Sequence, residues 1–227
     1  MSRASTEKVI CPQCGIESDF TIWGSLNTTL NPEENEKLLS GELFIFTCPH
    51  CGKKTNTDYA ILYHQMEEKR MIYYVPRDEN LPEVLNMFRG DPDAKYVRSD
   101  INLFAAMGDY TYRIVRTQRR LIEKARILND GWDDRIIELS KILVSLKIIK
   151  EQQNIESLEL FYDGGKENVC FGIIDREGEY GKVEIPKEMY DSIEENIAKG
   201  LPPINSKDHI IIDHEWAMSF LCDAQRE

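Results

Sequence analysis

The chain changes hydrophobic period twice, and those changes divide it into three segments. Over residues 7–76 the apolar positions fall in short runs rich in β-formers, Phe20–Trp23, Leu43–Thr47, Tyr59–His64 and Met71–Val75, which predict strands separated by turns. One short helix interrupts them. Asn31-Pro32-Glu33-Glu34 opens it, with proline at the first helical position and acids at the positive helix end, and Gly41 closes it. Leu81–Phe88 reads as a second short helix. From about Tyr110 the period becomes helical, with Ile114, Leu121, Ala125 and Leu128 on one side and Asn129-Asp130-Gly131 as the stop. In the helix that follows, Ile136, Ile137, Leu139, Ile142, Leu143, Leu146 and Ile149 leave almost no polar face, so burial on most sides is expected. The short loop between these two helices makes them antiparallel. Strands return at Leu158–Tyr162, Val169–Ile174 and Lys182–Ile185, then a helix from Pro186 to about Ala198, a buried strand at Ile210–Ile212 and a last helix at Glu215–Leu221. The expectation is an α+β fold in three parts: a β module over 1–78, a helical region over 79–152 with an antiparallel helix pair, and a small α+β domain over 153–227.

Two boxes of the form Cys-Pro-x-Cys-Gly change this picture, at 11–15 and 48–52. A two-residue gap lets both thiolates of a box point at one ion from a tight turn, and the glycine takes the positive φ by which the chain leaves it. Cys11, Cys14, Cys48 and Cys51 thus supply the four sulfurs of a closed tetrahedral zinc site, one structural ion per chain, with iron in the same geometry as the less favoured alternative. The 33 residues between Cys14 and Cys48 exceed what a minimal zinc ribbon needs, and the intervening helix accounts for the excess. Cys48-Pro49-His50-Cys51 has the letters of a thioredoxin-type redox site, but Gly52-Lys53-Lys54-Thr55-Asn56-Thr57 is poor helix-forming sequence and the duplicated box has no place in that reading. Cys170 and Cys222 read as structural thiols, and Asp213-His214-Glu215 as a helix start.

The paired boxes, the intervening helix, Tyr63-His64 and Met71-Ile72-Tyr73-Tyr74-Val75-Pro76 resemble the CpXC domain of bacterial and archaeal proteins. The resemblance extends over about residues 8–130 through Tyr112–Val115 and Leu121–Lys124, with its specific part at 11–76. It implies the metal site and carries no assigned activity.

Charge completes the reading. The net charge of −12 is uneven: −2 over residues 1–77, +1 over 78–150 and −11 over 151–227. The acidic last third would repel phosphate backbones and weighs against nucleic acid as a partner, although Lys53 and Lys54 beside the second box favour it locally. Arg113, Arg116, Arg120 and Lys124, spaced 3, 4 and 4 apart, suggest one basic helix face for an anion or acidic partner, or a solvated face balanced by the chain's own acids. Residues 1–8 lack the apolar core of a signal peptide, and no apolar run approaches the ~20 residues that span a bilayer, so a cytoplasmic protein without membrane contact is expected. No phosphate loop, dinucleotide fingerprint or nucleophile elbow appears. The reading that follows is a zinc ribbon-like, non-enzymatic module for binding another protein or a second copy of itself. The alternatives are a nucleic-acid-binding ribbon and an enzyme with an inter-domain site.

Overall fold

A computed structural model describes residues 2–89, 108–151, 158–175, 180–207 and 209–224. They divide into two compact units, 1–122 with 205–210, and 123–204 with 211–227. The segments expected over 1–78, 79–152 and 153–227 do not coincide with these units, because the middle one is shared between them.

The first unit is β-rich. β1 (Arg3–Ile10) and β2 (Glu17–Asn27) form a long antiparallel hairpin with Ile10 opposite Glu17. Only Ser25–Asn27 at the far end of β2 continue into the sheet, pairing in parallel with β5 (Ile61–Gln65). The tip of the hairpin therefore extends past the sheet that anchors it. β6 (Arg70–Tyr74) turns back antiparallel to β5, and β7 (Thr111–Val115) joins β6 in parallel, giving the order β1-β2-β5-β6-β7. β3 (Ile45–Thr47) and β4 (Lys54–Asn56) make a separate two-stranded ladder. α1 (Pro32–Leu39) follows an Asx turn in which Asn27 Oδ1 accepts the amides of Thr29 and Leu30, and α2 (Leu81–Arg89) follows β6. Leu26, Leu38, Phe44, Ile61, Tyr63 and Ile72 are fully buried in this unit.

Three expectations are corrected. Leu43 and Phe44 lie in a 3-10 turn, Glu42–Phe44, so the strand begins only at Ile45. Thr111–Val115 is a strand and not the start of a helix: its β-branched and aromatic residues pair with β6, and of the helical series only Ile114 falls outside the helix that begins at Gln118. Ile210–Ile212 forms no strand, although the Ile114 amide donates to Ile210 O at 3.0 Å and both Ile210 and Ile212 are buried.

The second unit packs helices on a three-stranded antiparallel sheet. α3 (Gln118–Asn129), which belongs to this unit from Glu123 on, leads through Gly131 (φ +86°) into α4 (Asp134–Glu151). β8 (Leu158–Gly164), β9 (Val169–Asp175) and β10 (Tyr180–Ile185) form a meander, followed by α5 (Lys187–Asn196) and α6 (His214–Ala224). Its core gathers Ile127, Trp132, Ile136, Ile137, Leu139, Leu160, Phe171 and Ile193. As its composition predicts, α4 is buried continuously from Asp134 to Ile142. Asp134, Arg135, Glu138 and Lys141 in this stretch are buried as well, which is tolerable only because they are paired. Lys124 Nζ lies 3.0 Å from Asp134 Oδ2 and 3.7 Å from Glu138 Oε1, and it donates to Ile212 O at 2.8 Å. Lys141 Nζ lies 2.6 Å from Glu123 and 2.9 Å from Glu138, and Glu123 accepts the Tyr162 amide at 2.6 Å. No helix among the described residues is long and apolar enough to cross a membrane.

Candidate metal centre

Each cysteine box occupies the loop of a β-hairpin, the first between β1 and β2 and the second between β3 and β4. The two loops have the same backbone. In the first, the Gly15 amide donates to Cys11 O at 2.9 Å and the Cys11 amide to Ile16 O at 3.1 Å. In the second, Gly52 donates to Cys48 O at 2.9 Å and Cys48 to Lys53 O at 2.9 Å. Gly15 and Gly52 leave their turns at φ +70° and +73°, the conformation for which a glycine is needed. In the first turn the Gln13 and Cys14 amides face the Cys11 sulfur, as in a metal knuckle.

The knuckles face one another. Cys11 Sγ lies 3.6 Å from Cys51 Sγ, and Cys14 Sγ lies 3.7 Å from Cys48 Sγ. All four sulfurs fall within 4.8 Å of one another. A zinc–sulfur bond of about 2.3 Å puts the corners of a tetrahedron about 3.8 Å apart, so this spacing fits a four-thiolate site. The first cysteine of each box is buried, Cys11 and Cys48 at 1% exposure each, whereas Cys14 and Cys51 are exposed. Beneath the buried pair lies a small apolar pad: Phe46 packs with Cys11 and Cys48, and Val9 and Phe20 close it, the Phe20 and Phe46 rings meeting edge to face at 5.8 Å. The sequence announces the ligands; Val9, Phe20 and Phe46 are recognisable beforehand only as apolar strand positions.

Backbone amides, desolvation and neighbouring sulfurs act together on the thiols of Cys11, Cys14 and Cys51. The Cys14 amide, reinforced by that of Gln13, holds the Cys11 thiol down at about 6. The Lys53 amide pulls Cys51 the same way, but desolvation and the three neighbouring sulfurs outweigh it and push Cys51 up to about 12. At Cys14 the Ile16 amide is likewise outweighed, and its thiol is raised. Four sulfurs this close favour four thiolates only when a cation offsets their mutual repulsion.

The proposed basic face is not assembled. Arg113 sits on β7 at 0% exposure, donating to Tyr112 O at 2.8 Å and His209 O at 3.2 Å. Arg116 lies between β7 and α3 and pairs with Asp78. Arg120 and Lys124 do share α3, but Arg120 is half-buried and Lys124 is held inside the second unit by Asp134 and Glu138. Spacings of 3 and 4 mean a shared face only within one helix, and a strand and a loop take up the first two residues.

No match was found among curated proteins or among solved structures. The family described as CpXC protein does match, over residues 9–141, which contains both cysteine boxes, the whole five-stranded sheet after β1 and most of the α3–α4 pair. That match covers more than half of the 227 residues, and the chain belongs to the CpXC family.

Proposed function

We propose that the four cysteines hold one structural zinc ion and that the chain is a non-enzymatic, zinc-stabilised module for protein interaction. The observation that carries this reading is the closed set of four sulfurs around one point, which leaves no coordination position for a substrate or an activated water. Thiolate-only ligation favours zinc, with iron as the competing ion. A site of this kind persists where thiols stay reduced, which supports a cytoplasmic location. Interaction is supported by what surrounds the site. Ile10 and Ile16, flanking the first knuckle, are 65% and 42% exposed, and β1 forms the edge of its sheet with nearly every residue exposed. An exposed strand edge beside apolar side chains suits a partner that adds a strand, either another protein or a second copy.

Elemental analysis of protein purified without chelator tests the metal. About one zinc per chain is expected; iron, or no transition metal, overturns the zinc assignment. Sedimentation and partner capture with an Ile10→Lys/Ile16→Lys variant test the surface. Loss of association with zinc content unchanged is the expected result, and association that survives both changes overturns the surface.

A further inference from the structure

The two edges of the five-stranded sheet are treated differently. β7 forms one of them, and the chain returns to cover it. The Ile114 amide donates to Ile210 O at 3.0 Å, and buried Arg113 donates to Tyr112 O at 2.8 Å and to His209 O at 3.2 Å. Residues 205–210 belong to the same unit as the sheet. β1 forms the other edge, and no strand lies outside it among the described residues. Proteins blunt such an edge with a proline, a bulge or a projecting lysine. β1 contains no proline, and its one register shift inserts Gly24 into β2, so β1 itself stays regular. Its one lysine, Lys8, is paired with Asp19 of its own hairpin at 2.5 Å. We infer that a second copy of this chain occupies this edge, the two β1 strands running antiparallel about a two-fold axis at Ser5. This rests on the strand-edge reading above and names its occupant.

Alternation along the hairpin identifies the backbone groups that are available. The Cys11 amide bonds Ile16 O at 3.1 Å, and the same register runs unbroken from Ile10–Glu17 to Ala4–Trp23. Hydrogen-bonded and non-hydrogen-bonded positions alternate in an antiparallel pair. Ser5, Glu7 and Val9 therefore bond β2, whereas Ala4, Thr6 and Lys8 turn their N–H and C=O groups outward.

Charge then selects the register. A two-fold axis perpendicular to the sheet can set any residue of β1 opposite its own copy. Centred on Glu7 or Lys8, it opposes like charges, which destabilises a strand pair. Centred on Ser5, it puts Arg3 of each copy opposite Glu7 of the other, giving two ion pairs. Every other centre along β1 brings no opposite charges together. In the Ser5 register the two ion pairs fall at non-hydrogen-bonded positions, where side chains approach most closely, while Ala4 and Thr6 exchange backbone bonds with the other copy. Ser5 Oγ already reaches Glu7 Oε1 at 3.3 Å, which holds that carboxylate on the face it shares with Arg3. Lys8 and then Ile10 follow at each end of the paired stretch, where a lysine in place of Ile10 adds like charge at the border of the contact.

The test is sedimentation equilibrium of the full chain, unmodified and with Arg3→Glu, Glu7→Arg or both changes together, with zinc content checked in each. Either single change sets two like-charge pairs across the contact, and each is expected to weaken self-association about tenfold. The double variant restores both pairs with their signs exchanged and is expected to associate like the unmodified chain. An equal mixture of the two single variants restores them as a mixed dimer. Self-association that neither single change weakens, or that the double variant does not recover, overturns the proposal. An unmodified chain that stays monomeric, yet captures another protein in a manner sensitive to Ile10→Lys/Ile16→Lys, overturns the second copy as occupant and leaves the strand-edge reading intact. A chain that neither self-associates nor captures a partner in that manner overturns both.

Discussion

At the level of single residues, glycines that share a positive φ carry very different burdens. Gly52 lies at φ +73°, yet a Cβ placed there would meet nothing within 4 Å. Its replacement by alanine costs backbone strain alone, about 1–2 kcal/mol. Gly52→Ala should therefore lower the melting temperature modestly and leave zinc content unchanged, as thermal denaturation with elemental analysis will show. Gly165, in the β8–β9 turn, lies at φ +111°, and a Cβ there would meet the backbone oxygen of Asn168 at 1.9 Å. The turn must open to admit it. Its carbonyl also accepts the Trp132 indole N–H at 2.6 Å and the Tyr162 hydroxyl at 2.9 Å, so both bonds are at risk in the same change. Gly165→Ala should cost on the order of 3 kcal/mol or more, from steric overlap and strain together. Equal losses for the two variants in chemical denaturation would mean that the knuckle glycine is doing something beyond turning the chain.

Among the elements, the α3–α4 pair shows how a charge pattern misleads when its partners are distant in sequence. Lys124 and Arg116 look alike as members of one basic series, but their surroundings are opposite. Removing Lys124 takes the ammonium from beside buried Asp134, while Glu138 keeps Lys141, a loss of about 3–5 kcal/mol for Lys124→Ala. Removing Arg116 breaks an ion pair with an Asp78 that is almost wholly exposed, and Arg116→Ala should cost no more than about 1 kcal/mol. Urea unfolding of the two variants side by side decides the matter, and comparable losses would contradict the burial of Lys124. Much of the fold was nevertheless legible in the sequence. The knuckles were, because ligand spacing and the following glycine are local. So were α1, with its proline at the start, and the meander, whose strands are joined by short connections. β7 was hidden because it pairs with β6 across about forty intervening residues, and its five-residue pattern also fits a helix continuing into α3. The ion cluster was hidden because the sequence gives the charges of Glu123, Lys124, Asp134, Glu138 and Lys141 and not their burial, which depends on how α3 and α4 pack.

Over the whole molecule, the two units differ in what holds them together, and this predicts how each responds to loss of metal. The second unit has an extensive apolar core of its own, running from Ile127 through Phe171 to Ala217. The ends of the two hairpins that carry the knuckles have only the pad of Val9, Phe20 and Phe46 around Cys11 and Cys48, away from Ser25–Asn27 where β2 joins the sheet, and β1 is exposed along nearly all its length. So little burial cannot offset the ordering of these strands, and the metal must supply most of the difference. Structural zinc contributes about 10–16 kcal/mol of apparent binding energy in small modules, most of which is folding energy. Thiolates bind zinc in competition with protons, so acid weakens the site in the same direction as a chelator. A strong chelator at neutral pH, or Cys48→Ser, should therefore raise backbone hydrogen exchange across 3–27 and 45–56 by orders of magnitude. Protection over β8–β10, residues 158–175 and 180–185, should remain. Titrating the pH downward without chelator should reproduce the pattern as zinc is lost, and readdition of zinc at neutral pH should restore it. If exchange in the hairpins is the same with and without zinc, the ion is not what holds them, and the structural role assigned to it fails. If the meander loses protection together with the hairpins, the second unit does not stand on its own core, and the division of the chain into two independently stabilised units fails instead.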